Sequence, residues 1–165
     1  MIKTSRFNLR QISVELDDFS NYFSWMTDKE SNIFILGVSP SISIEYLKNY
    51  VREKNEVADA LLLGIYSNTS GNHIGNIKFE PINRLKSESW LGILIGDKSY
   101  RNRGVGFEVL TAGIKYLNDT QFISTFHLGV DVDNKPAISL YEKLGFKKNL
   151  DLTKEIRYQI MTKFY

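Results

Sequence analysis

Apolar positions divide the first half of this chain into helix-spaced and strand-like runs. Leu16, Phe19, Phe23 and Met26 recur at helical spacing and predict a first helix. Ile44, Leu47 and Val51 mark a second, ending near Asn55. Asp28 to Ser31 breaks the first helix, and 31–43, with Gly37 and Pro40, has no period and reads as loop. Arg6-Phe7-Asn8-Leu9-Arg10 reads as a short opening strand. Ala60 to Tyr66 is an apolar run too short for most helices. The turn cluster Asn68-Thr69-Ser70-Gly71-Asn72 joins it to His73–Phe79, where Ile74, Ile77 and Phe79 are apolar, which predicts a hairpin. Pro81 to Ser87 is a polar connection to a further strand, Ser89–Ile95.

The second half reads helix, strand, helix, strand, strand. Val105, Val109, Gly113 and Leu117 set one face of a helix running to about Asn118, and Leu110 and Ile114 widen it. Thr125 to Val132 is a strand. Pro136 opens the next helix, where its missing amide hydrogen costs nothing, and Gly145 closes it as a left-handed cap. Glu155 to Lys163 alternates, with Ile156, Tyr158 and Ile160 on one side.

The turn between the Ser89–Ile95 strand and the helix from Val105 carries the first chemical signal. It reads Tyr100-Arg101-Asn102-Arg103-Gly104-Val105-Gly106-Phe107-Glu108. The first amides of a helix lack intrahelical partners, and the helix dipole places partial positive charge there. Glycines let backbone approach a phosphate, and arginines add charge and forked donors. The pattern is a pyrophosphate cradle; its competitor is a tight strand-to-helix turn with solvated arginines. A P-loop needs lysine and a hydroxyl residue where Phe107 and Glu108 stand. A dinucleotide fingerprint needs a glycine-like residue at Val109 and an acid about twenty residues on, where Phe126-His127-Leu128 stands.

Thirty residues after Gly104, a second motif follows the next strand: Asn134, Ala137, Tyr141, Gly145 and Phe146 in the frame Asn-x-x-Ala-x-x-x-Tyr-x-x-x-Gly-Phe. Together with Arg101, Gly104 and Gly106 this resembles the GNAT superfamily of acyl-CoA N-acyltransferases. Glu108 further resembles the branch holding ribosomal-protein-alanine and spermidine acetyltransferases. The resemblance implies an α/β (α+β) fold: a mixed, mostly antiparallel sheet of about seven strands flanked by about four helices, in one domain over 1–165. It implies acetyl-CoA as cosubstrate, no metal, and an amine acceptor: a peptide or protein N-terminus, a polyamine or an amino sugar. The diphosphate is expected on Arg101, Asn102, Arg103, Gly104, Val105, Gly106 and Phe107, and the pantetheine arm beside Ile93, Leu94 and Ile95. An amide near Ile95 then polarises the thioester carbonyl. Phe107 and Val109 depart from the small, helix-prone residues common at this helix start, although backbone supplies most donors.

The resemblance places Tyr141 as general acid to the departing thiolate. A phenol near ~10 stays protonated beside a thiol near ~8.5. Its competing reading is a core aromatic. Asn134 is expected to hold the cofactor arm or bridge splayed strands, against an ordinary turn asparagine. Ser139 reaches a cofactor phosphate or is an exposed helix serine. Glu88, entering a strand, is the candidate base, acting through water; its competing reading is a solvated strand start. An α-amino group near ~8 needs a base less than an alkyl ammonium near ~10.4. Glu108 is read as structural, favoured by the dipole in a first turn. His73 and His127 sit in strand-like runs and are read as packing or surface. The acceptor pocket is expected between Trp25–Pro40 and the region around Leu150–Glu155, with Trp25, Phe34 and Trp90 as walls.

Composition narrows the remaining classes. With 165 residues, one domain is expected, and 42% hydrophobic residues suffice for one core. The chain has no cysteine, which removes disulfides and thiolate chemistry and fits a cytoplasmic setting. No run approaches the ~20 apolar residues of a membrane span, and the N-terminus lacks the apolar core of a signal peptide. A net charge of +2 without a basic block argues against nucleic acid. The terminal strand either completes the sheet of a monomer or supports a homodimer. A non-catalytic acyl-CoA sensor is the alternative to an enzyme.

Overall fold

The computed structural model describes residues 1–28, 34, 41–153 and 157–165. Within them one sheet has the order β1-β2-β3-β4-β5-β6-β8-β7. The strands are β1 (Ile2–Lys3), β2 (Phe7–Arg10), β3 (Leu61–Ser67), β4 (His73–Asn83), β5 (Glu88–Ile95), β6 (Thr125–Asp131), β7 (Lys147–Lys148) and β8 (Tyr158–Phe164). The α-helices are α1 (Ser20–Thr27), α2 (Ile44–Glu56), α3 (Val105–Gln121) and α4 (Lys135–Lys143). Only β5 and β6 pair in parallel. This is the mixed, mostly antiparallel architecture expected, with eight strands where about seven were. The two-residue strands β1 and β7 are too short to leave a period in the sequence.

The sheet is covered on both faces, but unequally. Val105, Val109, Leu110, Ile114 and Leu117 of α3 and Tyr141 of α4 pack with Leu63, Ile65, Ile77, Phe79 and Phe126 in the larger core. On the other face α1 and α2 give Tyr22, Trp25, Leu47 and Val51 to a second cluster with Ile12 and Leu62. Successive strand residues face opposite sides, so Leu62 and Leu63 enter different cores. That is why β3 reads as an unbroken apolar run. The α3 face is the one its periodicity predicts. α4 ends as expected: Gly145 has φ 87, and Phe146 N–H reaches the Tyr141 carbonyl at 2.9 Å.

Two boundaries differ from expectation by four residues. α1 starts at Ser20, leaving Leu16 89% exposed and outside the helix. Asp17 is tied to the Ser13 amide and to Arg10, and Asp18 accepts from the Ser20 amide, so 13–18 is a turn and not a helical start. The fully buried face therefore carries Tyr22 and Trp25, while Phe23 and Met26 pack at its margin. β4 continues past Phe79 to Asn83 through an irregularity between Phe79 and Ile82, a site that tolerates Pro81. In β8 Tyr158 and Ile160 share one face, as expected, and the buried Met161 lies on the other. The expected loop positions Gly37 and Pro40, and Glu155 and Ile156, lie outside the described residues. No helix among the described residues is long and apolar enough to cross a membrane.

Phe79 and Phe126 are fully buried and meet edge to face at 6.3 Å, joining β4 to β6 beneath α3. Phe126→Ala is expected to cost about 3–5 kcal/mol of stability, read as a lower urea midpoint.

Candidate active site

β5 and β6 pair at three positions only: Glu88↔Thr125, Ser89↔Phe126 and Trp90↔His127. Beyond them β5 stays with β4 as far as Ile95, and β6 stays with β8 as far as Asp131. The facing edges of the two strands part. The β5 edge carrying Ile93, Leu94 and Ile95 has no strand on that side among the described residues. Backbone donors and acceptors left this way need solvent or a ligand.

The open edge leads directly into the glycine turn. Asp97 caps a short 3₁₀ turn, Lys98–Tyr100. Arg101 folds back on the strand end: Nε donates to the Ile95 carbonyl at 2.9 Å and Nη2 to the Gly96 carbonyl at 3.3 Å. Its fork therefore shapes the turn. Asn102 and Gly104 take left-handed φ of 57° and 73°, and Arg103 between them is exposed. Gly104 is the N-cap of α3. The first helical amide to reach a carbonyl is that of Glu108, to Gly104 at 3.2 Å. The amides of Val105, Gly106 and Phe107 precede it without intrahelical partners. A Cβ on Gly106 would stand 2.7 Å from Leu140, so its lack of a side chain seats α3 against α4. The Phe107 ring is 46% exposed.

Beneath this turn is a cluster that periodicity and motif matching both missed. Glu108 accepts from the Thr4 hydroxyl at 2.6 Å, the Arg6 amide at 2.8 Å and Arg6 Nε at 2.7 Å. Arg6 Nη1 also donates to the Arg103 carbonyl at 3.0 Å. Burial alone would raise the Glu108 pKa, but these donors outweigh it and hold the carboxyl below its ordinary value. The structural role expected of Glu108 is thus a set of named bonds.

α4 follows the other parted strand. Asn134 Oδ1 caps it, accepting from the Ala137 amide at 3.3 Å. Ser139 is exposed on its surface. Tyr141 is 7% exposed and meets Phe146 edge to face at 6.0 Å. Its hydroxyl forms no hydrogen bond among the described residues. Burial pushes its pKa up to about 12.

Glu88 is not placed near the strand's open end. It begins β5, six residues before Leu94, which is about 20 Å of extended chain. There it lies 3.7 Å from His127 Nε2 and 3.9 Å from Lys86. His127 is buried; its Nδ1 is 2.9 Å from the Thr162 hydroxyl, which accepts from Asn149. The Trp90 ring leans on His127 at 5.2 Å. His73 is also a packing residue. It stacks on Tyr66 at 4.9 Å, its Nε2 faces Gly75 O and Asn76 Oδ1, and burial lowers its pKa.

On the α1 side of the strand end is a cleft of about 320 Å³. Asn21, Ser24, Trp25 and Asp28 of the α1 side face Gly96, Asp97 and Lys98 across it. Asp28 and Lys98 pair at 3.0 Å. Trp25 lies so close to Gly96 that a Cβ there would strike the indole. Of the expected acceptor walls, Trp25 lines this cleft, Phe34 is 38% exposed, and the rest of 29–40 is outside the described residues.

Residues 6–147 match the family model described as an acetyltransferase (GNAT) domain. The chain belongs to that family. It is similar to an N-alpha-acetyltransferase of Sulfurisphaera tokodaii, 41% identical over 51 residues, 31% of this chain and 30% of that protein. It is also similar to the [ribosomal protein uS5]-alanine N-acetyltransferase of Escherichia coli, 30% identical over 99 residues, 59% of this chain and 50% of that protein. The chain thus spans half or less of the length of these two relatives. Among solved structures it resembles spermidine N-acetyltransferase from Vibrio cholerae in complex with CoA and spermine. There the TM-score is 0.84 at 18% identity, covering 97% of this chain and 96% of that one.

Because the Glu108 pKa is depressed in the folded state, its contribution to stability is complete above the ordinary glutamate value of about 4.3. It is lost as pH falls through the lower folded value. Glu108→Gln is expected to flatten the fall of unfolding free energy in that acid window relative to wild type, measured by urea titration at a series of pH values. Identical slopes would remove Glu108 from the acid response.

Proposed function

We propose that this protein is an acetyl-CoA-dependent N-acetyltransferase. The parting of β5 from β6 carries the reading: it leaves a strand edge that ends at a helix N-terminus with unsatisfied amides. An acylated pantetheine arm is a chain of amides suited to that edge, and a diphosphate suits the amides from Asn102 to Phe107. The acetyl group then comes to the Ile93–Ile95 segment, where a backbone amide near Ile95 faces the developing oxyanion.

The acceptor amine attacks the thioester carbon, forming a C–N bond as the C–S bond breaks. The amine gives up a proton to water and the sulfur takes one. Tyr141 is the donor to sulfur. Complete transfer from a phenol at about 12 to a thiol near ~8.5 is uphill. Its first role is therefore a hydrogen bond to the thiolate. The sulfur enters the same dry surroundings, which raise a thiol pKa too and narrow the gap.

The acceptor we favour is the α-amino group of a peptide or protein. Glu88 lies too far down β5 to take a proton directly from an amine at Leu94. An α-amine near ~8 is partly neutral at pH 7 and needs no strong base. The names of the relatives from Sulfurisphaera tokodaii and Escherichia coli point the same way. The cleft between α1 and Gly96–Lys98 is the entrance that adjoins the thioester position.

Acetyl-CoA and CoA are expected to raise the melting temperature, because a ligand that binds the folded state stabilises it. NAD is not. A shift with NAD alone would overturn the cofactor. Release of free thiol with a panel of peptides, polyamines and amino sugars separates an enzyme from an acyl-CoA sensor and identifies the acceptor.

Tyr141→Phe keeps the ring and its packing. It is expected to bind acetyl-CoA near normally and to lose turnover about 10²-fold or more, less so at low pH. Unchanged turnover in the folded variant would remove Tyr141 from the reaction.

A further inference from the structure

We propose that Arg6 is a positioning residue of the cofactor cradle: pinned by Glu108, it sets the direction of the Arg103–Gly104 peptide. The inference rests on the diphosphate reading of that turn. Arg6 lies in the connection between β1 and β2, 97 residues before Arg103. Its side chain is half exposed, but its guanidinium is held on two sides. Nε is bound by Glu108 Oε2, while the other carboxylate oxygen of Glu108 is bound by the Arg6 amide and the Thr4 hydroxyl. With one edge fixed, Nη1 reaches the Arg103 carbonyl at 3.0 Å.

That last bond has a directional consequence. The Arg103–Gly104 peptide is trans, so its C=O and N–H point in opposite directions. Holding the carbonyl against Arg6 turns the Gly104 N–H away from it. The peptide would otherwise rotate cheaply, because glycine has no Cβ to resist it. Gly104 is the cap of α3 and sits at φ 73°. A rotated peptide would present a carbonyl oxygen where the cradle needs a donor.

The charges support the same role. Glu108 stands in the first turn of α3 as an ionised carboxylate, where it would repel a bound diphosphate. Arg6 neutralises it. The remaining nitrogen, Nη2, forms no hydrogen bond among the described residues. It lies 3.7 Å from the position a Cβ on Gly104 would take, which keeps positive charge at the cap.

The test is the dissociation constant of CoA, dephospho-CoA and pantetheine, measured by calorimetric titration for wild type, Arg6→Met, Glu108→Gln and the double variant. CoA and dephospho-CoA carry the diphosphate, and pantetheine does not. Arg6→Met is expected to weaken the first two equally, by about tenfold, the size of a charge-assisted hydrogen bond, and to leave pantetheine unchanged. Glu108→Gln follows the same pattern, and the double variant is no worse than Arg6→Met alone. Should Arg6→Met not fold, Arg6→Lys keeps the charge but not the fork and is expected to give the same split. Equal weakening of all three ligands, or of none, would overturn the proposal. So would weakening of CoA without dephospho-CoA, which would move Arg6 to the 3′-phosphate. Wild type binding CoA no more tightly than pantetheine would instead sink the diphosphate reading itself, and this proposal with it.

Discussion

The structure depends on where one ladder of hydrogen bonds stops. β5 and β6 lie at the centre of the sheet, where strand edges are normally paired throughout. Here they share three residue pairs and then diverge. Each strand keeps its outer partner, so the sheet does not come apart: β5 holds to β4 and β6 to β8 along their remaining lengths. The cost is a half-buried edge of β5 with no strand beside it among the described residues, where Arg101 takes the Ile95 carbonyl. The same opening is what gives an amide-rich ligand a place to pair.

The elements around the opening are arranged to hold it. α3 and α4 follow the two parted strands, and both pack into the larger core with Phe79 and Phe126. Gly106 against Leu140 joins the two helices near the turn. Arg101 binds the carbonyls that end β5, and Arg6 with Glu108 binds the turn from the N-terminal side. Of the two motif arginines, Arg101 thus serves geometry, while the exposed Arg103 remains available to an anion. The unsatisfied amides at the start of α3 need no side chain to act on one.

The open end and the closed end of the parting differ in character. At the open end, the turn after Ile95 borders a cleft beside Trp25, and α4 carries Tyr141, whose hydroxyl forms no hydrogen bond among the described residues. At the closed end Glu88, His127, Thr162 and Asn149 form a chain of polar contacts under Trp90. A base and an acid acting on one bond must both reach it. The length of β5 separates Glu88 from that place, which is the physical reason for favouring an acceptor that arrives partly neutral.

Much of this was legible in the sequence because it is local. The face of α3, the hairpin at Asn68–Asn72, the Gly145 cap and the glycine turn opening a helix each follow from residues a few positions apart. Helix and strand periods, and the φ freedom of glycine, act at that range. The start of α1 departs from its apolar spacing because hydrogen bonds accepted by Asp17 and Asp18 from the Ser13 and Ser20 amides outweigh a pattern that includes Leu16. What only the tertiary structure decided involves partners far apart in the chain. Nothing near Arg101 says that its fork turns back to Ile95. Nothing near Glu108 names Thr4 and Arg6. Nor does the alternation of β5 reveal that its pairing with β6 ends at Trp90. A sequence period reports which side a residue faces; it carries no information about which distant group meets it there.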